Sequence, residues 1–100
     1  SGTAAEREAN EREEAVLRGE TGCEADLARR LVGIARALRA LKDQDLEEAA
    51  STRLLVYAAT LVRAGMAPLP ACRVAIVESL TDDPEVAEAL MEVVSATFGH

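Results

Sequence analysis

Ser51-Thr-Arg-Leu-Leu-Val-Tyr-Ala-Ala-Thr-Leu-Val-Arg-Ala-Gly65 is a helix written with both of its ends. Ser51 is a favoured N-cap, because its hydroxyl can accept from a backbone N–H that has no partner in the first turn. Leu54, Leu55, Ala58, Leu61 and Val62 then recur at spacings of three and four, which builds one apolar face. Gly65 can take the left-handed conformation that ends a helix, and Pro68 bars its return. Arg53 does not belong to this pattern. It stands in the first turn, where the partial positive charge of the helix end opposes a cation by roughly 0.3 to 1 kcal/mol. A cation there calls for an anion. Two sources fit: the neighbouring acids Asp43, Asp45, Glu47 and Glu48, or a bound phosphate, for which free backbone N–H groups and a guanidinium make a ready site.

Upstream, residues Asp43 to Ala50 form an acidic connector that delivers the chain to Ser51. Before it, Leu27, Leu31, Ile34, Leu38 and Leu41 recur at four, three, four and three, the cleanest amphipathic helix of the chain, over about Cys23 to Leu41. Its other side carries Arg29, Arg30, Arg36, Arg39 and Lys42, a basic stripe that is solvated or salt-bridged, with the acidic C-terminal segment as an internal partner. Gly33 within this helix costs about 1 kcal/mol against alanine, which points to close helix contact. From Ala4 to about Arg18 the chain is charged and helix-prone, with Glu8 to Arg12 and Glu14 to Arg18 spaced for pairing. Only Ala15, Val16 and Leu17 offer packing there. The segment is either a solvated, partly frayed helix or a connector to a neighbour, and Gly19 and Gly22 break it.

Downstream, Met66-Ala-Pro-Leu-Pro70 predicts a turn and about Pro70 to Ser79 a shorter helix, buried through Ala71, Val74, Ala75 and Val77. Thr81-Asp-Asp-Pro-Glu85 starts the last helix, with Asp82 or Asp83 as cap and Pro84 in the first turn. That helix exposes Glu85, Glu88 and Glu92 and packs Val86, Leu90, Val93, Val94 and Phe98, and Gly99 ends it. No stretch reads as a strand. The expectation is an all-α fold, a small helical bundle of four to five helices, with residues 1–22 as an N-terminal connector helix and linker and residues 23–98 as the helical body. Alanine is the commonest residue, which permits close helix approach.

The chain has 18 acidic and 11 basic residues, a formal charge of −7, one Tyr, one Phe and no Trp. This balance argues against a nucleic-acid or anionic-membrane surface, which needs clustered Lys and Arg and, for single strands, stacking aromatics. Proteins are the expected partners. No apolar run approaches the roughly 18 residues needed to span a bilayer, so a soluble, cytoplasmic protein is expected. Cys23 and Cys72 lack metal-ligand spacing and are too few for a disulfide framework, so both are expected as small buried hydrophobes. The sole histidine is His100, which leaves no His-based metal cluster or catalytic dyad. Asp82-Asp83 and Glu47-Glu48 lack the ligand spacing of a calcium loop and read as a cap and a solvated connector. Tyr57 reads as a half-buried packing residue. Arg53 alone makes a chemical claim.

Two blocks bear on that claim: Leu41-Lys-Asp-Gln-Asp-Leu-Glu-Glu-Ala-Ala-Ser-Thr-Arg-Leu-Leu-Val-Tyr-Ala-Ala59 and Ala71-Cys-Arg-Val-Ala-Ile-Val-Glu-Ser-Leu-Thr-Asp-Asp-Pro84. In this order they resemble the C-terminal part of the CbbQ/NirQ/NorQ group of MoxR-type AAA+ ATPases, which includes the gas-vesicle relative GvpN. The resemblance covers roughly residues 23 to 98. It implies a helical lid that follows a nucleotide-binding core. By the same match Arg53 is the sensor 2 arginine that reaches the gamma phosphate of ATP, with Ser51 and Thr52 beside it at the helix start. One departure is Ala50, where many relatives would carry Gly.

The Walker A lysine, the Walker B acids, sensor 1 and the arginine finger have no counterpart in these residues. The resemblance therefore implies that ATP and Mg belong to the parent protein, and that this part alone neither holds them nor hydrolyses ATP. It further implies a hexameric ring of subunits, a von Willebrand A-type partner protein and a metalloenzyme client, with Rubisco activation and nitric oxide reductase maturation as the family's settings. The rival expectation is a stand-alone helical interaction module in which Arg53 pairs with Glu47 or Glu48.

Overall fold

The computed structural model describes residues 3–41 and 51–98. Helix α1 (Ala4–Thr21) begins with a capping box: Glu6 N–H donates to Thr3 Oγ1 at 3.1 Å, and Thr3 N–H donates to Glu6 Oε1 at 2.9 Å. Two donors that the first turn leaves unpaired are thereby satisfied. The helix passes through Gly19, where the sequence predicted a break, and stops at Gly22 with φ 70°. An interior glycine only weakens a helix, whereas a left-handed residue ends it. Of the three expected packing residues, Leu17 is buried while Ala15 and Val16 are exposed.

Helix α2 (Ala25–Arg39) is a residue or two shorter at each end than its apolar repeat suggests. Leu31, Ile34 and Leu38 are fully buried, and Leu27 and Leu41 pack at the margin. Gly33 faces α6, but not at the close approach its place suggested: a Cβ there would stand 3.6 Å from Thr97 Cγ2, an ordinary contact. Helix α3 (Thr52–Arg63) buries Leu55, Ala58 and Ala59 and half-buries Leu54, Leu61 and Val62. Beyond its C-cap, Gly65 takes φ 114°. Met66 N–H then donates to Leu61 O and Gly65 N–H to Val62 O, both at 3.0 Å, the paired bonds that close a Schellman turn.

The next helical stretch starts earlier than predicted. It runs as α4 (Pro68–Cys72), one wide π-helical segment (Arg73–Val77) and α5 (Glu78–Leu80), with Glu78 N–H donating to Arg73 O five residues back. The extra residue in that turn lets Ala75, Ile76 and Val77 all enter the core in succession. Val74, predicted to be buried, is turned out and 36 % exposed. Helix α6 (Pro84–Phe98) takes Asp83 as its cap, whose Oδ1 accepts from Glu85 N–H at 2.9 Å. Leu90 and Val94 are buried, with Val86, Val93 and Phe98 packed at the edge.

Helix α3 is the hub, packing on α1, α2, α4 and the π segment, while α2 also meets α1 and α6. Ala28, Ala35, Ala58, Ala59, Ala71 and Ala75 are buried in the core, where small side chains let helix axes approach closely. Among the described residues the core holds no buried polar or charged side chain, and no strand is present. The result is an all-α bundle.

Candidate functional site

The head of α3 carries the three residues singled out from the sequence, and the fold treats each differently. Ser51 occupies the N-cap position with φ −90° and ψ 164°, yet its hydroxyl makes no capping bond. Its carbonyl closes the first turn instead, accepting from Leu54 N–H at 3.1 Å. Thr52 is half-buried, and its Oγ1 donates to Glu13 Oε2 at 2.6 Å. Arg53 is exposed, and α3 has no acid in its first turn. Among the described residues no carboxylate lies within ion-pair distance of its guanidinium. Asp43, Asp45, Glu47 and Glu48, the sequence's candidate partners, lie outside the described residues.

Glu13 is the neighbour of these residues that sequence reasoning missed. Its carboxylate accepts from Arg39 Nη1 at 3.2 Å and Nη2 at 2.9 Å, besides the Thr52 hydroxyl. Only 13 % of the side chain is exposed. The Arg39 guanidinium, helped by Thr52, holds the Glu13 pKa below its ordinary value, outweighing the opposing effect of burial. Glu13 sits in an acidic run where neighbours at i+4 offer ordinary pairing, so composition does not distinguish it. One signal does: it lies one turn before the buried Leu17 and therefore on the same inward face.

The basic stripe of α2 is paired, but not as predicted. Arg29 and Arg30 both bind Asp26 on their own helix, Arg36 reaches Glu6 at 3.9 Å, and Arg39 binds Glu13. Among the described residues none pairs with Glu85, Glu88 or Glu92, and the two pairs made between helices are with acids of α1. Lys42 lies outside the described residues. Arg30 does reach the end of α6, through its backbone and ring: Nη1 donates to Phe98 O at 2.6 Å, and the guanidinium carbon is 5.6 Å from the ring centroid.

At the opposite end of α3 an open groove of about 530 Å³ runs among Leu27, Arg30, Val62, Arg63, Pro68 and Phe98. Arg53 and Arg63 are ten residues apart on one helix, roughly 15 Å at 1.5 Å per residue, so the groove and the head of α3 are separate places. Tyr57, expected half-buried, is on the exposed side at 46 %. Cys23 and Cys72 are free and buried, as expected, and burial pushes the Cys72 thiol up to about 12. Among the described residues no cluster of three His, Cys, Asp or Glu could hold a metal ion, and no helix is long and apolar enough to cross a membrane.

Chemically, the head of α3 offers a guanidinium with no carboxylate partner among the described residues, beside backbone N–H groups and with the Thr52 hydroxyl already committed. Such an arrangement can meet an anion supplied from outside the bundle. Comparison with known proteins places the chain in a family. Residues 13–97 match the family described as CbbQ/NirQ/NorQ C-terminal. The chain is 54 % identical over 86 residues to the denitrification regulatory protein NirQ of Pseudomonas aeruginosa, covering 86 % of this chain and 33 % of that protein. It is 47 % identical over 88 residues to the protein NorQ of Paracoccus denitrificans, covering 88 % and 33 %. With the protein CbbQ of Hydrogenophilus thermoluteolus it shares 42 % identity over 90 residues, covering 90 % and 34 %. The chain thus spans about a third of the length of the curated relatives it matches. With both the family match and these identities extending over most of its helices, the chain belongs to the CbbQ/NirQ/NorQ C-terminal family.

Proposed function

We propose that this chain is the helical lid of a MoxR-type AAA+ ATPase and that Arg53 is its sensor 2 residue, extended toward the gamma phosphate of ATP. The observation that carries the reading is the state of Arg53: a cation at a helix head, exposed, with no carboxylate partner among the described residues. A structural arginine would be expected to find a fixed acid, as Arg39 does with Glu13. ATP and Mg would be held mainly by a core in the remainder of the parent protein. There the metal and the core's phosphate-binding groups supply the charge stabilisation of phosphoryl transfer. This domain's share is to sense the phosphate and move as a body, because a change at the head of α3 is passed to helices packed against it. The resemblance to MoxR-type AAA+ ATPases implies that the parent assembles with further subunits and a von Willebrand A-type partner to activate a metalloenzyme client.

Two measurements test this. The gene should encode a Walker A lysine within about 200 residues upstream, the span of a typical domain. Arg53→Ala in the full-length protein should lower ATP turnover by roughly tenfold or more while the melting temperature holds or rises slightly, since a first-turn cation opposes the helix dipole. Unchanged turnover, or an open reading frame that starts near residue 1, would favour a stand-alone interaction module.

A further inference from the structure

We infer that Glu13 is a positioning residue for the head of α3, and that its carboxylate, by clasping the end of α2 and the start of α3 together, sets the direction in which Arg53 points. The inference rests on the reading of Arg53 as a phosphate sensor.

Arg39 is the last residue of α2 and Thr52 the first of α3. Both meet on one side chain. Oε2 of Glu13 accepts from Arg39 Nη2 at 2.9 Å and from Thr52 Oγ1 at 2.6 Å, and Oε1 accepts from Arg39 Nη1 at 3.2 Å. Glu13 is a firm anchor, since it lies in the middle of the 18-residue α1 and is largely covered. Ser51 contributes no side-chain cap to the head of α3, so among the described residues the Thr52 hydroxyl is its one side-chain hydrogen bond to another helix.

Geometry then orients the next residue. Successive helical side chains are rotated by about 100°, so tying Thr52 to α1 turns Arg53 away from the α1 face. Charge acts in the same direction. Three of roughly four acceptor positions on the Glu13 carboxylate are occupied, which leaves Arg53 to seek an anion outside the bundle. The carboxylate also complements the positive end of α3, so the clasp is favourable at its own site.

The test uses the full-length protein and a fluorescent ATP analogue, with Thr52→Val, Thr52→Ser, Arg53→Ala and Thr52→Val/Arg53→Ala. Valine keeps the shape of threonine and removes only the hydroxyl, and circular dichroism checks that each variant is folded. Thr52→Val should weaken nucleotide binding roughly three- to tenfold, the effect of losing one ordinary hydrogen bond, while Thr52→Ser retains affinity. In the Arg53→Ala background, Thr52→Val should add no further loss. An Arg53→Ala protein that binds nucleotide normally overturns this inference, and the lid reading with it if ATP turnover is also unchanged. Weakened binding in Arg53→Ala but normal binding in Thr52→Val overturns the positioning role alone. An equal further loss in the double variant would also overturn it, because the hydroxyl would then act independently of the arginine.

Discussion

Thr52 Oγ1 and Glu13 Oε2 stand 2.6 Å apart although 39 residues separate them in the chain. That bond, with the Arg39 pair on the same carboxylate, joins three helices at one point. It is the only place among the described residues where a largely covered acid meets both a cation and a hydroxyl from different helices.

The clasp predicts an acid-sensitive share of stability. Hydrogen bonds from Arg39 and Thr52 favour the charged carboxylate, so folded Glu13 releases its proton below its ordinary pKa of 4.5. A carboxyl depressed in this way stabilises the fold fully above 4.5, and the contribution is lost as the pH falls through the lower, folded value. In urea unfolding, Glu13→Gln should be less stable than wild type at neutral pH by about 1 to 3 kcal/mol. The gap should narrow as wild-type Glu13 takes up its proton. A gap of constant size across that range would contradict the charge-based account.

The glycines should respond with opposite signs. Gly19 lies inside α1, and a methyl group added there would meet nothing within 4 Å, so Gly19→Ala should stabilise by roughly 0.5 to 1 kcal/mol. Gly33→Ala should gain a similar amount at most, because its methyl would make ordinary contact with Thr97 at 3.6 Å. Gly22 has φ 70°, where any side chain strains the backbone, so Gly22→Ala should lose about 1 to 2 kcal/mol. Thermal melts of the three variants check the order.

Cys72 should be chemically silent in the folded chain. Its thiol is fully buried and pushed up to about 12, so almost no thiolate exists at neutral pH to attack an alkylating reagent. Alkylation followed by mass spectrometry should leave Cys72 unlabelled under native conditions and label it fully in denaturant. Rapid native labelling would mean that the π-helical region opens far more readily than its packing implies.

Helix existence and most of the core were legible in the residues alone. Leu31, Ile34, Leu38, Leu55, Leu90 and Val94 are buried where their three-and-four spacing placed them, and Gly65 and Asp83 cap as their chemistry requires. These features are encoded within one or two turns, so a short window of sequence contains their cause. The head of α3 was only half legible: Arg53 was conspicuous because it opposes the local dipole, while nothing within a turn of Thr52 announces Glu13.

Other departures have the same origin. Val74 was expected inside, but the wide turn at Arg73–Val77, shaped by packing against α3, redirects it outward. Tyr57 is more open than its place on α3 suggested, because exposure depends on which helices flank a face. The arginines of α2 found Glu6 and Glu13 on α1 rather than the acids of α6, since charge tells which residues can pair and only the helix arrangement brings particular ones together. Periodicity and capping, which act over a few residues, were therefore determined by the sequence itself. Partner choice across 26 and 39 residues was decided by the tertiary fold, because those contacts exist only once the helices have packed.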